Sequence, residues 1–298
     1  MTKKPPFKHR AACKLVEWTQ YLSFRSAWKL AHFLSILFFP FRGQLQTTIR
    51  ENIARVYPNL SLPEQQKLSQ RSFRHTLSFA LESGSVWLKP LEYGCEHITK
   101  IHGLSLLEEA QHSEQGIILI LPHLGNWEMA NQFIAPRADV VALYKPQPNQ
   151  QLENHILNAR SRAGLKMVPT QKRGVLQILK HLKQGGVTII LPDQVPETNG
   201  GIIAPFFGQD TQTATLVPKL AKSSQAHLIG LICARDEQGR FEVHLSKAPT
   251  AIADPDIKVA ALTMNAYIES LVNQFPAQYQ WSYKRFKSSS ATNQGLLT

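Results

Sequence analysis

Residues Ile117 to Ala130 read IILILPHLGNWEMA, and the fold turns on this stretch. Ile118 to Leu121 form an apolar run of strand length. Pro122 cannot donate to a sheet, and Gly125 breaks any regular pattern. Asn126 is a helix-capping residue, and Trp127, Glu128, Met129 and Ala130 continue as a helix. Strand, turn and helix in that order open an α/β unit. His123 then sits just past the carboxyl end of a strand, where open α/β sheets bind their ligands. On one continuous helix, His123 and Glu128 would lie about 140° apart, on different faces. A turn between them lets the carboxylate fold back onto the imidazole, so the pair reads as a general base with its orienter. The plainer alternative is a hydrogen-bonded structural histidine at a strand end.

Downstream, strands and helices alternate in units of about thirty residues, the pattern of a doubly wound α/β domain. Val140–Tyr144 reads as a strand ending in Lys145-Pro146, and Gln150–Arg162 as a helix. Lys166–Val168 is a short strand and Arg173–Lys183 a helix closed by Gly185-Gly186. Val187–Leu191 is a strand ending in Pro192-Asp193, and Thr215–Ser223 a helix. His227–Cys233 and Phe241–Leu245 read as a strand pair, followed by a helix over Ile257–Gln274. The expected core is therefore a mixed, mostly parallel sheet flanked by helices over residues 116–287. Upstream, residues 46–115 read as a helical platform. Its main helix starts at a capping box, Ser61 with Glu64, and it includes a short strand over His97–His102.

Residues 1–45 read as a basic tail and anchor. Residues from about 14 to 40 have one helical pattern, ended by Pro40. The apolar run Leu30–Phe41 is about a dozen residues, short of the roughly 20 that cross a bilayer. It suits an anchor lying in the membrane interface, with Phe and Trp among acyl chains and Lys/Arg at the headgroups. A core helix of a soluble domain fits the same run, and a true single span is the third alternative, although a basic amino terminus inside would then place the catalytic domain outside. Net charge is +12, and residues 1–60 carry ten cations against only Glu17 and Glu51, so +8 of it lies there. Such a chain favours anionic partners: nucleic acid, a membrane surface or an acidic protein. Residues 288–298 read as a disordered tail. Cys13, Cys95 and Cys233 are scattered, with no zinc-type spacing and no disulfide framework. GxSxG, Walker A, GxGxxG and HExxH motifs are absent. That disfavours a covalent serine enzyme, a nucleotide kinase and a zinc protease. A base-catalysed transfer without metal or enzyme nucleophile fits what is left.

Further candidates sit at strand and helix ends. Asp193 shares a crevice with His123 if their strands are close. Arg160 and Arg162 end a helix before Gly164, and arginine suits phosphate because it is always charged and binds bidentately. Pro205-Phe206-Phe207-Gly208 is a compact apolar turn, either core or the lining of a hydrocarbon channel. Trp281-Ser-Tyr-Lys284-Arg285-Phe-Lys287 mixes aromatics and cations, as headgroup and nucleic-acid sites do.

In order, these segments resemble the late acyltransferases of lipid A biosynthesis, relatives of the lysophospholipid acyltransferases. His123-Leu-Gly-Asn-Trp-Glu128 fits that family's HxxxxE motif, and Tyr144-Lys-Pro146 its strand-end YRP. Ala159-Arg-Ser-Arg162 resembles its GRxRS segment. Leu191-Pro-Asp-Gln194, Pro205–Gly208 and Thr211–Thr215 resemble its PDxDxG, PFFG and ATTT run, and Trp281–Lys287 its terminal WxHRRFK. The resemblance implies transfer of an acyl chain from acyl carrier protein, as co-substrate, to a hydroxyl of a lipid A precursor. The expected place is the cytoplasmic face of the bacterial inner membrane. It implies no cofactor, no metal and no nucleic acid. His123 is implied as base, Glu128 as its orienter and Arg160 as organiser of the site. Backbone N–H groups around Gly125–Trp127 are candidates for holding the oxyanion. Asn126, Lys145, Arg162, Asp193, Phe206, Phe207, Gly208, Lys284 and Arg285 are implied at the substrate. Tyr283 stands where the family often has His, and the Asp-Tyr-Gly that commonly follows Asp193 is missing. The acceptor therefore stays open to another glycolipid or a lysophospholipid. A non-enzymatic basic binding protein is the reading from a different class.

Overall fold

The computed structural model describes residues 7–146, 149–196 and 200–286. Residues 1–6 of the basic tail, Lys287 and the tail 288–298 lie outside them. Helices α1 (Phe7–Thr19), α2 (Phe24–Phe38), α3 (Gln44–Val56) and α4 (Leu62–Leu88) come first. A short α5 (Leu91–Cys95), strand β1 (Ile98–His102) and α6 (Leu104–Gln111) follow. The α/β units are then β2 (Ile117–Ile120), α7 (Trp127–Ile134), β3 (Val141–Tyr144), α8 (Gln150–Arg162), β4 (Lys166–Pro169), α9 (Lys172–Leu182) and β5 (Val187–Ile190). The chain ends in β6 (Gly201–Phe206), β7 (Gln209–Ala214), α10 (Leu216–Ser224), β8 (His227–Arg235), β9 (Phe241–Lys247) and α11 (Ile257–Gln274).

The central sheet has the order β1-β9-β8-β2-β5, with β8, β2 and β5 parallel and β9 antiparallel to β8. The parallel pair β3–β4 continues it, because Val140 bridges Val187 and the Thr188 hydroxyl donates to Val141 O at 2.7 Å. All four residues of β2 are buried, as a parallel strand covered on both faces requires. Ile118 and Ile120 face one core layer, with Ile178 of α9, Leu220 of α10 and Ile268 of α11. Ile117 and Leu119 face the other, with Leu107 of α6, Met129 and Phe133 of α7 and Ala159 of α8. The expected mixed, mostly parallel sheet between helices is thus the observed one. Strand β1, from the stretch read as platform, pairs with β9 and so belongs to this same sheet.

Helix α4 starts at the expected box, with Glu64 accepting the Ser61 N–H at 2.8 Å. The single helix expected over residues 14 to 40 is instead two. The chain turns after Thr19, and Ser23 caps α2 by accepting from Ser26 N at 3.1 Å. Ala27, Trp28, Ala31 and Ser35 bury one face of α2, where Ala27 and Ala31 pack with Leu81 of α4. Phe33, Ile36, Leu37 and Phe38 on the other face stand exposed, as does Phe41 beyond it. No helix among the described residues is long and apolar enough to cross a membrane.

The β6–β7 hairpin was not expected. Its turn is Phe207-Gly208, both at positive φ (49° and 69°), a two-residue loop of the type that matches strand twist.

Candidate active site

The register of β2 and β5 builds the site. Ile120 lies opposite Ile190, so the residues three positions further on, His123 and Asp193, leave the sheet side by side. Asp193 grips the histidine twice: Oδ2 accepts the His123 backbone N–H at 3.0 Å, and Oδ1 lies 2.9 Å from Nδ1. An ionised carboxylate only accepts, so Nδ1 carries the proton and Nε2 keeps its lone pair. Burial of Asp193 works to raise its pKa, but the positive charge His123 carries when protonated, together with its hydrogen bonds, outweighs burial and holds the carboxyl below the usual range. The phenol of Tyr279 lies beside the same carboxylate, and burial first, then Asp193, pushes that phenol well above its ordinary value.

Glu128 is therefore not the orienter of His123, and the expected pairing is corrected. Glu128 lies in the first turn of α7 and takes a fork from Arg160, with Nη2 to Oε1 at 2.6 Å and Nε to Oε2 at 3.3 Å. Among the described residues, no hydrogen bond joins Glu128 to His123. The turn is what separates them: it leads Glu128 toward α8, while the neighbouring strand brings Asp193. Arg160 resists its burial because Glu128 raises its pKa above the ordinary value.

The turn itself is pinned from two sides. Gly125 has φ 66°, and a Cβ there would stand 2.1 Å from Cys233 O. Its N–H donates to Gln278 O at 3.0 Å, and the Asn126 N–H donates to Cys233 O at 2.8 Å. These two N–H groups are thereby spent, which removes them from the expected oxyanion hole. Gln280 N donates to His123 O at 2.9 Å, so segment 278–280 straps the turn in place. Asn126, expected at the substrate, is buried. Its Oδ1 caps α7 by accepting from Met129 N at 3.1 Å, and its Nδ2 donates to Glu82 Oε2 at 2.8 Å. Glu82 and Arg235 form an ion pair that is fully buried on both sides, with Arg235 Nε donating to Oε1 at 2.9 Å.

His123, Trp127, Lys145 and Arg160 line a cleft of about 340 Å³ whose walls include Leu143, Ile156, Leu157, Ile189 and Leu216. Trp127 stands edge-on to His123 at 5.1 Å and stacks on Phe79 of α4 at 3.9 Å. Lys145 is exposed at the mouth. A larger cavity of about 820 Å³ opens at the opposite end of the sheet, beside His227, away from this chemistry.

Other expected residues lie elsewhere. Arg162 donates to Trp87 O at 2.6 Å, because α8 runs unfrayed through both arginines and residues two apart diverge. Phe206 is fully buried in the core, and Phe207 packs on Tyr57 and Trp281, so neither lines the cleft. Gly208 completes the hairpin turn. Lys284 is exposed. Arg285 is buried over Phe206 and donates to Gln212 O of β7, which makes it a brace beneath the site rather than a group on it. Tyr283, at the departure from the family pattern, accepts from Val195 N at 3.2 Å and steadies the chain after Asp193.

Sequence reasoning left out Tyr279, Glu82 and Glu153, which also lines the cleft. Glu82 had a legible signal: an acid four residues after Ser78 on the apolar face of a long helix. Tyr279 had none, since its partner is 86 positions away.

A family model described as bacterial lipid A biosynthesis acyltransferase matches residues 14–288 of the chain. The lipid A biosynthesis palmitoleoyltransferase of Escherichia coli K12 is 26% identical, over 84% of this chain and 81% of that protein. The lauroyltransferase of the same organism is 24% identical, over 80% and 78%. A phosphatidylinositol mannoside acyltransferase of Mycobacterium tuberculosis is 27% identical over 48% of this chain and 47% of its own.

Proposed function

The chain belongs to the bacterial lipid A biosynthesis acyltransferase family and is an acyltransferase, and from that premise we propose that it moves a fatty acyl chain from the thioester of acyl carrier protein to a hydroxyl of a lipid A precursor. The observation that carries the mechanism is the His123–Asp193 pair at the strand ends. Nε2 of His123 takes the acceptor hydroxyl proton as the oxygen attacks the thioester carbonyl. Asp193 fixes the tautomer and stabilises the imidazolium that forms. The tetrahedral intermediate collapses, the carrier's thiolate leaves, and the imidazolium returns its proton to that sulfur. No acyl-enzyme forms.

Arg160 takes the electrostatic part. Two of its five N–H groups serve Glu128, and Arg160 also lines the cleft. There it offers fixed positive charge to the developing oxyanion or to a phosphate of the acceptor. Lys145 at the mouth adds charge toward the same anionic partners, and Leu143, Ile156, Leu157 and Leu216 receive the acyl chain.

The exposed residues Trp18, Phe33, Ile36, Leu37 and Phe41, with exposed Arg25 and Lys29 beside them, support an anchor lying in the plane of the inner membrane's cytoplasmic leaflet. Residues 7–45 belong to that anchor, α3 and α4 to the platform above it, and residues 116–286, joined by β1 at the sheet edge, to the catalytic core. A cytoplasmic carrier-protein donor requires this side of the membrane.

The test is a substrate panel with purified wild-type enzyme in mixed micelles, using labelled acyl carrier protein. Transfer to a lipid A precursor, with little to a mannosylated phosphatidylinositol, is the expected result. The mycobacterial relative favours a second reading, a different glycolipid acceptor, and transfer to that lipid alone would establish it.

A further inference from the structure

Strands β1 and β9 run parallel at the edge of the sheet, in a register that sets Lys100 opposite Glu242 and His102 opposite His244. Residues two apart on a strand share a face, so all four side chains project from the same side. Val243 and Leu245 point the other way, into the layer beneath α6 and α7. The Glu242 carboxylate is divided between two tasks. Its Oε1 lies 3.0 Å from Lys100 Nζ, and its Oε2 lies 3.9 Å from both His102 Nε2 and His244 Nε2. The three ligand atoms fall within 4.8 Å of one another. Nε2 of His244 is buried without a hydrogen-bond partner, and the ring of Phe275 packs 5.0 Å from the imidazole. A buried orphan nitrogen aimed at a carboxylate and a second imidazole is a group in want of a ligand.

We propose that His102, His244 and Glu242 bind a divalent transition metal of the zinc type, with water completing the coordination. Two imidazoles and one carboxylate are a borderline donor set, suited to zinc, nickel or copper rather than to magnesium or calcium. Tetrahedral zinc with bonds of about 2.0 Å holds its ligand atoms about 3.3 Å apart, so each carboxylate–imidazole distance of 3.9 Å closes by roughly 0.6 Å, and ligand atoms that now lie within 4.8 Å of one another draw in by at most about 1.5 Å. His102 supplies that movement. It is half exposed and stacked 4.5 Å from His244, and turning out of the stack aims its lone pair at the ion. Lys100 acts as an outer-shell donor: by holding Oε1 it presents Oε2 to the metal. None of the three ligands lines the His123 cleft, so the ion has no part in acyl transfer. Its effect is to clip β1, which among the described residues has a sheet neighbour on one side only, onto β9.

The experiment is a titration of Zn²⁺ into the full-length, chelator-treated protein in detergent, by calorimetry, with Co²⁺ absorption as a second readout. Wild type should take up one saturable equivalent, raise its thermal midpoint and give a Co²⁺ spectrum of nitrogen–oxygen coordination. His102→Ala and Glu242→Gln should each weaken that equivalent at least tenfold and abolish the thermal shift. His102 is at the surface, so its variant should fold and keep basal acyl transfer. No saturable equivalent in wild type would overturn the proposal. So would an equivalent that persists unweakened in His102→Ala, which would mark adventitious binding by other histidines.

Discussion

Replacing Asp193 by Asn keeps the size of the side chain but removes its charge and one of its two acceptor oxygens. The carboxylate accepts from both the backbone N–H and Nδ1–H of His123, at 3.0 and 2.9 Å. An amide supplies only one acceptor oxygen, so one of the two contacts must meet an NH₂ group instead. If that contact is the ring, the imidazole adopts the other tautomer and Nε2 loses its lone pair. The charge matters as well. The imidazolium formed during proton transfer lies about 4 Å, charge to charge, from the carboxylate, which at an effective dielectric of 20 is worth about 4 kcal/mol. At 1.36 kcal/mol per tenfold, kcat should fall by about 10³. KM for the acyl carrier protein should change by less than about threefold, because Asp193 is buried behind the histidine. The assay is steady-state transfer with purified Asp193→Asn in micelles, beside a thermal melt to show that the variant is folded. A folded variant with kcat within threefold of wild type would refute the reasoning.

Three further outcomes are expected. Arg160→Lys keeps the charge but cannot make the fork to Glu128, so kcat should drop by about 10- to 100-fold with little loss of stability; transfer at the wild-type rate would show that the fork is dispensable. Glu82→Ala leaves the Arg235 charge buried and unpaired, and should cost about 3–5 kcal/mol in denaturant unfolding, whereas the double variant Glu82→Leu/Arg235→Met should cost much less. Glu269 is an acid whose pKa burial raises, only partly offset by the N–H of Phe207. The folded state therefore holds that proton more tightly than the unfolded chain, and stability should rise as pH falls from 7 through the folded-state value, which lies above 4.5. Glu269→Gln, which still accepts from Phe207, should be more stable than wild type at pH 7 and lose this part of the pH dependence; equal melting curves across pH 4 to 7 would contradict it.

Local rules made much of this architecture legible. The apolar run before His123, the cap at Asn126 and the capping box at Ser61 and Glu64 are short-range signals, and each element formed where its signal lay. The antiparallel partnership of β8 and β9 was readable from their closeness in the chain. What stayed hidden was decided by strand neighbours. Asp193 reaches His123 because β5 lies beside β2, whereas Glu128 stands near in sequence and is carried away by the turn. The N–H groups of Gly125 and Asn126 looked free until the strap at 278–280 and the end of β8 met them. Pro205 and the glycines before it masked the β6–β7 hairpin, and no periodicity reveals the turn at Gln20–Ser23 that splits the amino-terminal helix. The same non-locality applies to His102 and His244, which lie 142 positions apart on paired strands.

The most direct trial of direct, base-catalysed transfer is single-turnover transfer of a labelled acyl chain from acyl carrier protein to a lipid A precursor by wild type and His123→Ala. Wild type should give acylated lipid with no label retained on the protein. His123→Ala should melt as wild type does and transfer at least a thousandfold more slowly. Undiminished transfer by the folded variant, or a wild-type protein that carries the label before the lipid does, would contradict His123 as the base and the absence of an acyl-enzyme.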